Sequence, residues 1–347
     1  MNRNKLLGRA LPMLALVMVL LLLAGCGNGS STASQTQETT QETAAAAGST
    51  EPAAQTDEAA TDTTAAEQSG TRIVKTEMGD VEIPANPQRV IVNWYVIEPL
   101  MLGVEPVAIS GWAQETMPYY DQLSKIPVID KWEQEDLLAY DPDLIITYDP
   151  QDYEKFSKIA PVLVYGEGSA DGKTALDRLE FFGEALGRET EAQTAIDTFN
   201  DKLADAKEKL GSGAFEGKTF SILEDWGRES YGIYYESGSR GGTLLYDYLG
   251  LSKPEKLEKL IEESGEGRGS LSYEVASQYF GDYVLWFLQE DYDSEYAKSD
   301  IWKSIPAVQN GHVIEIPANY LGLFYYDDVA SMTGQLDYIV GRLLEVE

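Results

Sequence analysis

The 347-residue sequence has one cysteine, Cys26, and one histidine, His312. A single thiol excludes a disulfide within the monomer, so the fold cannot be a stapled scaffold. A single imidazole leaves no Ser-His or Cys-His pair, and no His set for a zinc or manganese carrier. His312 sits in GHVIEI, at the entrance to an expected strand, where a structural role fits. Basic residues are scarce as well, 26 against 58 acids, for a net charge of −32. Such a polyanion repels nucleic acid and anionic lipid, and nucleic-acid binding is set aside. Long apolar runs are missing apart from Leu11 to Leu23, which is short for a membrane-spanning helix. The stretch from Gly27 to Gly70 contains no aromatic residue, no lysine and no arginine.

What is present at the N-terminus is a charged flank of Arg3, Lys5 and Arg9, the apolar run, and then Leu23-Ala24-Gly25-Cys26. This has the layout of a secretory signal. It resembles a bacterial lipoprotein signal, which implies cleavage before Cys26 and a diacylated thiol as the membrane anchor. The expected location is the outer face of the cytoplasmic membrane, of Gram-positive type. The following residues, 27–70, cannot bury enough apolar surface to offset chain entropy and read as a disordered tether. With 44 residues its end-to-end distance is on the order of 35 Å.

The body, 71–347, remains acidic. Taking away the 7 acids of the tether and the 3 bases of the signal leaves 51 acids against 23 bases, a net charge of −28. It opens with an alternating hairpin pattern, Ile73 to Ile83 around Met78-Gly79-Asp80. Short apolar strands then alternate with helical patterns: RVIVN at Arg89, PVAIS at Pro106, DLIITY at Asp143 and PVLVY at Pro161. That rhythm predicts an α/β fold with largely parallel sheets. Glu189 to Leu210 has apolar residues three or four apart and neither Gly nor Pro, with acids early and lysines late, so it predicts one unbroken helix. Strands and helices resume after it, with KTFSILEDW, a helix over Thr243 to Leu249, GHVIEI, and a last helix from about Asp328 to Leu344. The expected organisation is an N-terminal lobe 71–188, a linking helix 189–210 and a C-terminal lobe 211–347, with a ligand cleft between the lobes.

The order NPQRVIV, LGVEPVA, EDLLAYDPDLII, linking helix, YDYLGL and GHVIEI resembles the periplasmic-binding-protein class that serves iron-siderophore and cobalamin ABC importers. The resemblance spans the whole body. It implies a binding protein, not an enzyme, working as a monomer without a cofactor. Its partners would be a permease dimer driven by a cytoplasmic ATPase, and its ligand an Fe(III)-siderophore bound without direct protein ligation of the metal. Cobalamin and haem are the alternatives within the class. Outside it, a surface glycosidase or adhesion module stays compatible with residue types, since the acids allow many carboxylate pairs.

One corner occurs twice. Glu135, Tyr140, Pro142 and Asp143 align with Glu274, Tyr279, Gly281 and Asp282, and an apolar run follows each. Locally each copy reads as a short helix feeding a buried strand. In the class that the chain resembles, each lobe offers one glutamate to arginines of the permease. Glu135 and Glu274 match those positions.

Ligands of open α/β lobes bind beyond the carboxyl ends of strands. Those loops carry Asn93-Trp94-Tyr95, Gly111-Trp112, and Trp226 to Arg228 followed by Tyr231, Tyr234 and Tyr235, which suggests a ring-lined cleft. Trp226-Gly227-Arg228 resembles the Trp-x-Arg of ferric-hydroxamate-binding lipoproteins, implying that Arg228 bonds hydroxamate oxygens and Trp226 packs on the ligand. Tyr326 resembles the family's late ligand tyrosine. The expected ligand set is therefore Trp94, Tyr95, Trp112, Trp226, Arg228, Tyr231 and Tyr326, whereas Arg240 in GSRGG reads as a loop or helix-start residue. A core Trp beside a surface Arg paired with Glu224 or Asp225 is the competing reading of the triplet.

Overall fold

Glu77 and Met78 turn the chain between β1 (Thr71–Thr76) and β2 (Gly79–Pro84), an antiparallel hairpin. Gly79 takes φ +102°, which only glycine adopts without strain. This computed structural model describes residues 70–166, 173–211, 213–226, 232–289 and 293–346, all within one compact unit. Cys26, Arg228 and Tyr231 lie outside the described residues. Among the described residues no helix is long and apolar enough to cross a membrane.

The first sheet has the order β4-β3-β5-β6 and is parallel throughout. Its strands are β3 (Val90–Asn93), β4 (Ala108–Ser110), β5 (Leu144–Thr147) and β6 (Val162–Val164). The second sheet has the order β11-β10-β7-β8-β9. There β7 (Phe220–Asp225), β10 (Tyr283–Leu288) and β11 (Val313–Ile316) are parallel. By contrast β8 (Ile233–Glu236) pairs antiparallel with both β7 and β9 (Arg268–Leu271), so this sheet is mixed. The reason is the connection: residues 226–232 are too few for the crossover that a parallel neighbour needs.

Glu189–Leu210 forms a helix of 22 residues, about 33 Å long. It buries the stripe Ala192, Ile196, Phe199, Leu203, Ala206 and Leu210. The helices Ala175–Leu186 and Val329–Glu345 pack against it. The first is held by a reciprocal Thr174/Asp177 capping box and ends at Gly187, φ +67°. One apolar cluster runs from Val90, Val92 and Leu144 of the first sheet, through these helices, to Phe220, Ile222 and Leu285 of the second. Both sheets thus share a core, and the helices joining them are part of it.

The doubled corner is also doubled in space. Asp143, at the entrance to β5, accepts backbone hydrogens from Gln88 (2.7 Å) and Arg89 (2.8 Å) just before β3. Asp282, at the entrance to β10, accepts from Thr219 N (2.9 Å) just before β7. Each Asp ties the starts of two parallel neighbours together, and against the opposing cost of burial the Thr219 N–H and hydroxyl, with the Lys218 ammonium, hold the Asp282 carboxyl below its usual range.

Candidate ligand cleft

Beyond the carboxyl ends of β3 and β6, and facing the 238–248 and 324–335 segments of the other half, lies a cleft of about 700 Å³. That volume suits a small-molecule complex. Trp94 follows β3 directly and has φ +73°, a left-handed conformation that costs a bulky residue about 1–3 kcal/mol. Its N–H nonetheless bonds Ser110 O at 2.9 Å, so neighbouring β4 holds the turn. The turn brings the indole to Tyr326 (centroids 5.1 Å, edge-on), Tyr325 (6.0 Å) and Tyr148 (6.2 Å).

Trp94, Tyr95 and Tyr326 all line the cleft. Tyr95 is buried, and its hydroxyl donates to Tyr165 O at 2.7 Å. The Tyr326 hydroxyl accepts from Trp112 N at 3.2 Å, and burial pushes its pKa up. Trp112 is not a lining residue. It stands behind Tyr325, ring centroids 4.5 Å apart, and carries the backbone that locates Tyr326. Next to it, Thr116 Oγ1 donates to Asn319 O (2.6 Å) and Gln114 Oε1 accepts from Gly322 N (2.5 Å). The 112–116 loop is therefore bound to the late segment that supplies the tyrosines.

Trp226, just beyond β7, is 43% exposed, and its indole lies against Arg268 (5.0 Å) and Tyr234 (5.8 Å), outside the described cleft lining. Glu224 is fully buried. Its described partners are Arg240 (3.5 Å), Arg268 (3.9 Å) and Gln289 (2.8 Å). Arg268 also reaches Glu236 at 2.5 Å, and burial raises the Glu236 pKa even against that bond.

Among the described residues the cations that line the cleft are Lys173, Arg178 and Arg240, none of them in the expected set. Arg240 is indeed a loop residue, but its φ of +55° turns the guanidinium into the cleft, 5.9 Å from the Tyr325 ring. Arg178 projects from the Ala175–Leu186 helix to Glu98 (2.6 Å) and Asp327 (3.1 Å), and lies over Tyr95 at 5.1 Å. Burial works against its charge, yet Glu98 and Asp327 outweigh that cost and its pKa is raised. Asp327 follows Tyr326, so this pair ties the first half of the chain to the second across the cleft floor. Only the GSRGG turn, where a non-glycine is flanked by residues that permit unusual backbone, held a sequence hint of a cleft arginine.

Glu135 is exposed on the Gln134–Leu138 helix and Glu274 on the Tyr273–Ala276 helix, and neither lines the cleft. The Glu274 carboxyl is held below its usual range by the Ser272 hydroxyl. His312 stacks on Tyr283 at 4.4 Å and its Nδ1 meets Asp282 O at 3.1 Å, a structural placement at the start of β11.

With two sheets, a linking helix and a ring-lined cleft in view, comparison with known proteins is direct. The periplasmic binding protein family model matches residues 91–320. The chain belongs to that family. It is 30% identical over 290 residues to the iron(3+)-hydroxamate-binding protein YxeB of Bacillus subtilis, covering 81% of this chain and 88% of that protein. It is 31% identical over 277 residues to the iron(3+)-hydroxamate-binding protein FhuD of the same organism, covering 78% and 85%. Among solved structures it resembles a Bacillus subtilis periplasmic binding protein component of a Fep/Fec-like ferrichrome ABC transporter. The TM-score is 0.64 at 30% identity, covering 78% of this chain and 98% of that one. The expected α/β binding-protein fold is thus the observed one, and the family is a class of binding proteins.

Proposed function

We propose that the chain captures a ferric hydroxamate siderophore outside the membrane and hands it to an ABC permease dimer. The observation that carries this reading is the cleft itself, in which aromatic rings surround two guanidiniums, Arg178 and Arg240, each backed by a buried glutamate. Hydroxamate oxygens on Fe(III) carry partial negative charge on a complex that is neutral or weakly cationic, which suits donors whose own charge is already compensated. The names of the two hydroxamate-binding relatives point the same way. The iron is cargo, held by the siderophore, and the protein needs no cofactor.

Trp94, Tyr95 and Tyr326 pack on the complex in this reading, with Arg178 and Arg240 as donors. Trp112 supports Tyr326 and Trp226 packs beside Arg268, while Arg228 and Tyr231, outside the described residues, keep the ligand-binding roles expected of them from the sequence. Glu135 and Glu274 are the permease contacts, and lipidated Cys26 holds the monomer at the outer membrane face. Quenching of tryptophan fluorescence by a panel of ferric hydroxamates, ferric catecholates, haem and cobalamin tests the ligand class. Saturable quenching by hydroxamates is expected. Tight binding of another class with no response to any hydroxamate would reject the reading.

A further inference from the structure

Both cleft arginines have their charge answered from behind. Glu98, 2% exposed, meets Arg178, and the fully buried Glu224 meets Arg240. Asp327 adds a second carboxylate to Arg178. Two lining charges remain among the described residues. Lys173 lies over the Tyr165 ring at 5.1 Å, while Asp247 is exposed and makes no hydrogen bond or ion pair with any described residue. The cleft's described charges are thus the cations Lys173, Arg178 and Arg240 against the carboxylates Glu98, Glu224, Asp247 and Asp327. Guanidinium donors are on offer there without a net positive field, inside a chain whose overall charge is −32.

Tyr165 is only 7% exposed and lines the cleft, yet its buried hydroxyl has no hydrogen-bond partner among the described residues. Such a group is costly unless something polar arrives. Asp247, for its part, belongs to a π-helical turn, Thr243–Tyr248, which closes through Leu249 N to Leu244 O at 2.9 Å. Turns of this winding are uncommon and concentrate at functional sites.

We infer that Asp247 receives an ammonium-bearing arm of the ligand, so that the cleft prefers a cationic ferric hydroxamate to its neutral counterpart. This rests on the ferric-hydroxamate reading above and adds one charged contact to it. Attraction between an exposed carboxylate and an ammonium is modest and screened by salt, so the preference it creates is about three- to fivefold.

The full chain is titrated by tryptophan fluorescence with a linear ferric tris-hydroxamate that ends in a primary amine, and with the same complex N-acetylated. The amine complex is expected to bind about three- to fivefold tighter at low salt. That ratio should shrink at high salt and in Asp247→Asn, and persist in Asp247→Glu. Because both ligands are measured on one protein, a general loss of folding cancels from the ratio. Equal or weaker binding of the amine complex would overturn the inference, as would a ratio untouched by Asp247→Asn. If neither complex bound, the hydroxamate reading itself would fall, and this inference with it.

Discussion

Trp94 concentrates the chemistry of the cleft in one residue. A tryptophan at φ +73° persists only where surrounding contacts over-determine it, and here the Ser110 hydrogen bond and three tyrosine rings do so. Trp94→Ala is expected to weaken ferric-hydroxamate binding by about 1.5–3 kcal/mol, tenfold or more in Kd, through lost ring contact. Trp226→Ala, whose ring packs on Arg268 away from the lining, should change Kd by less than about threefold. Calorimetric or fluorescence titration of both variants compares them directly, and a larger loss in Trp226→Ala would reverse the assignment. The strand-end tryptophan was legible in the sequence because strand ends are locally marked. Arg178 was not, since ALDRLEFFGEAL is an ordinary amphipathic helix with an arginine in it.

At the scale of elements, the last helix is set by its cap. Asp328 accepts from Ser331 N (2.8 Å) and Ser331 Oγ (2.6 Å), although it is almost wholly buried. Burial, aided by the nearby Glu98 charge, pushes its pKa up to about 7 despite those bonds. Between the ordinary carboxylate range and that value the folded chain holds a proton that the unfolded chain releases. Stability from this group is therefore complete at acid pH and is lost as pH rises toward neutrality. Asp328→Asn keeps the cap acceptor and removes the titration. Denaturant unfolding should show the variant gaining on the wild type as pH rises from about 4 to about 8, by up to a few kcal/mol. A pH-independent difference would mean that Asp328 is charged throughout. The cap position itself was readable from sequence to within a residue. Its burial against Glu98 was not, because the two are far apart in the chain.

Over the whole molecule, the shared core argues for lobes that move little against each other, with the Arg178–Asp327 pair as a further tie. Under the proposed function a permease would read the bound state from a nearly fixed face, and Glu135 and Glu274 are exposed at equivalent corners of the two sheets. Replacing either by Ala should leave ligand affinity unchanged, since neither lines the cleft, while uptake into cells falls and falls further in the double variant. Lys should be worse than Ala at each site, and reversing a permease arginine to Glu should partly rescue its matching Lys variant. A single wet ion pair is worth about 0.2–1 kcal/mol, so the double variant is the decisive measurement. Normal uptake there would reduce the repeated glutamates to a feature of the repeated fold.

The sequence by itself determined the order of elements, the opening hairpin, the unbroken 189–210 helix and the repeated corner, because each is written in a local period, a breaker or a cap. Local patterns also marked Trp94 and Tyr95 as strand-end rings, and the family resemblance marked Tyr326. Only the tertiary structure decided that β8 runs against both its neighbours, that Trp226 packs on Arg268, and that Arg178 and Arg240 line the cleft with counter-charges behind them. Arg178 and Asp327 stand 149 residues apart, and their bond is fixed by distance and burial across a shared core, quantities with no period along the chain.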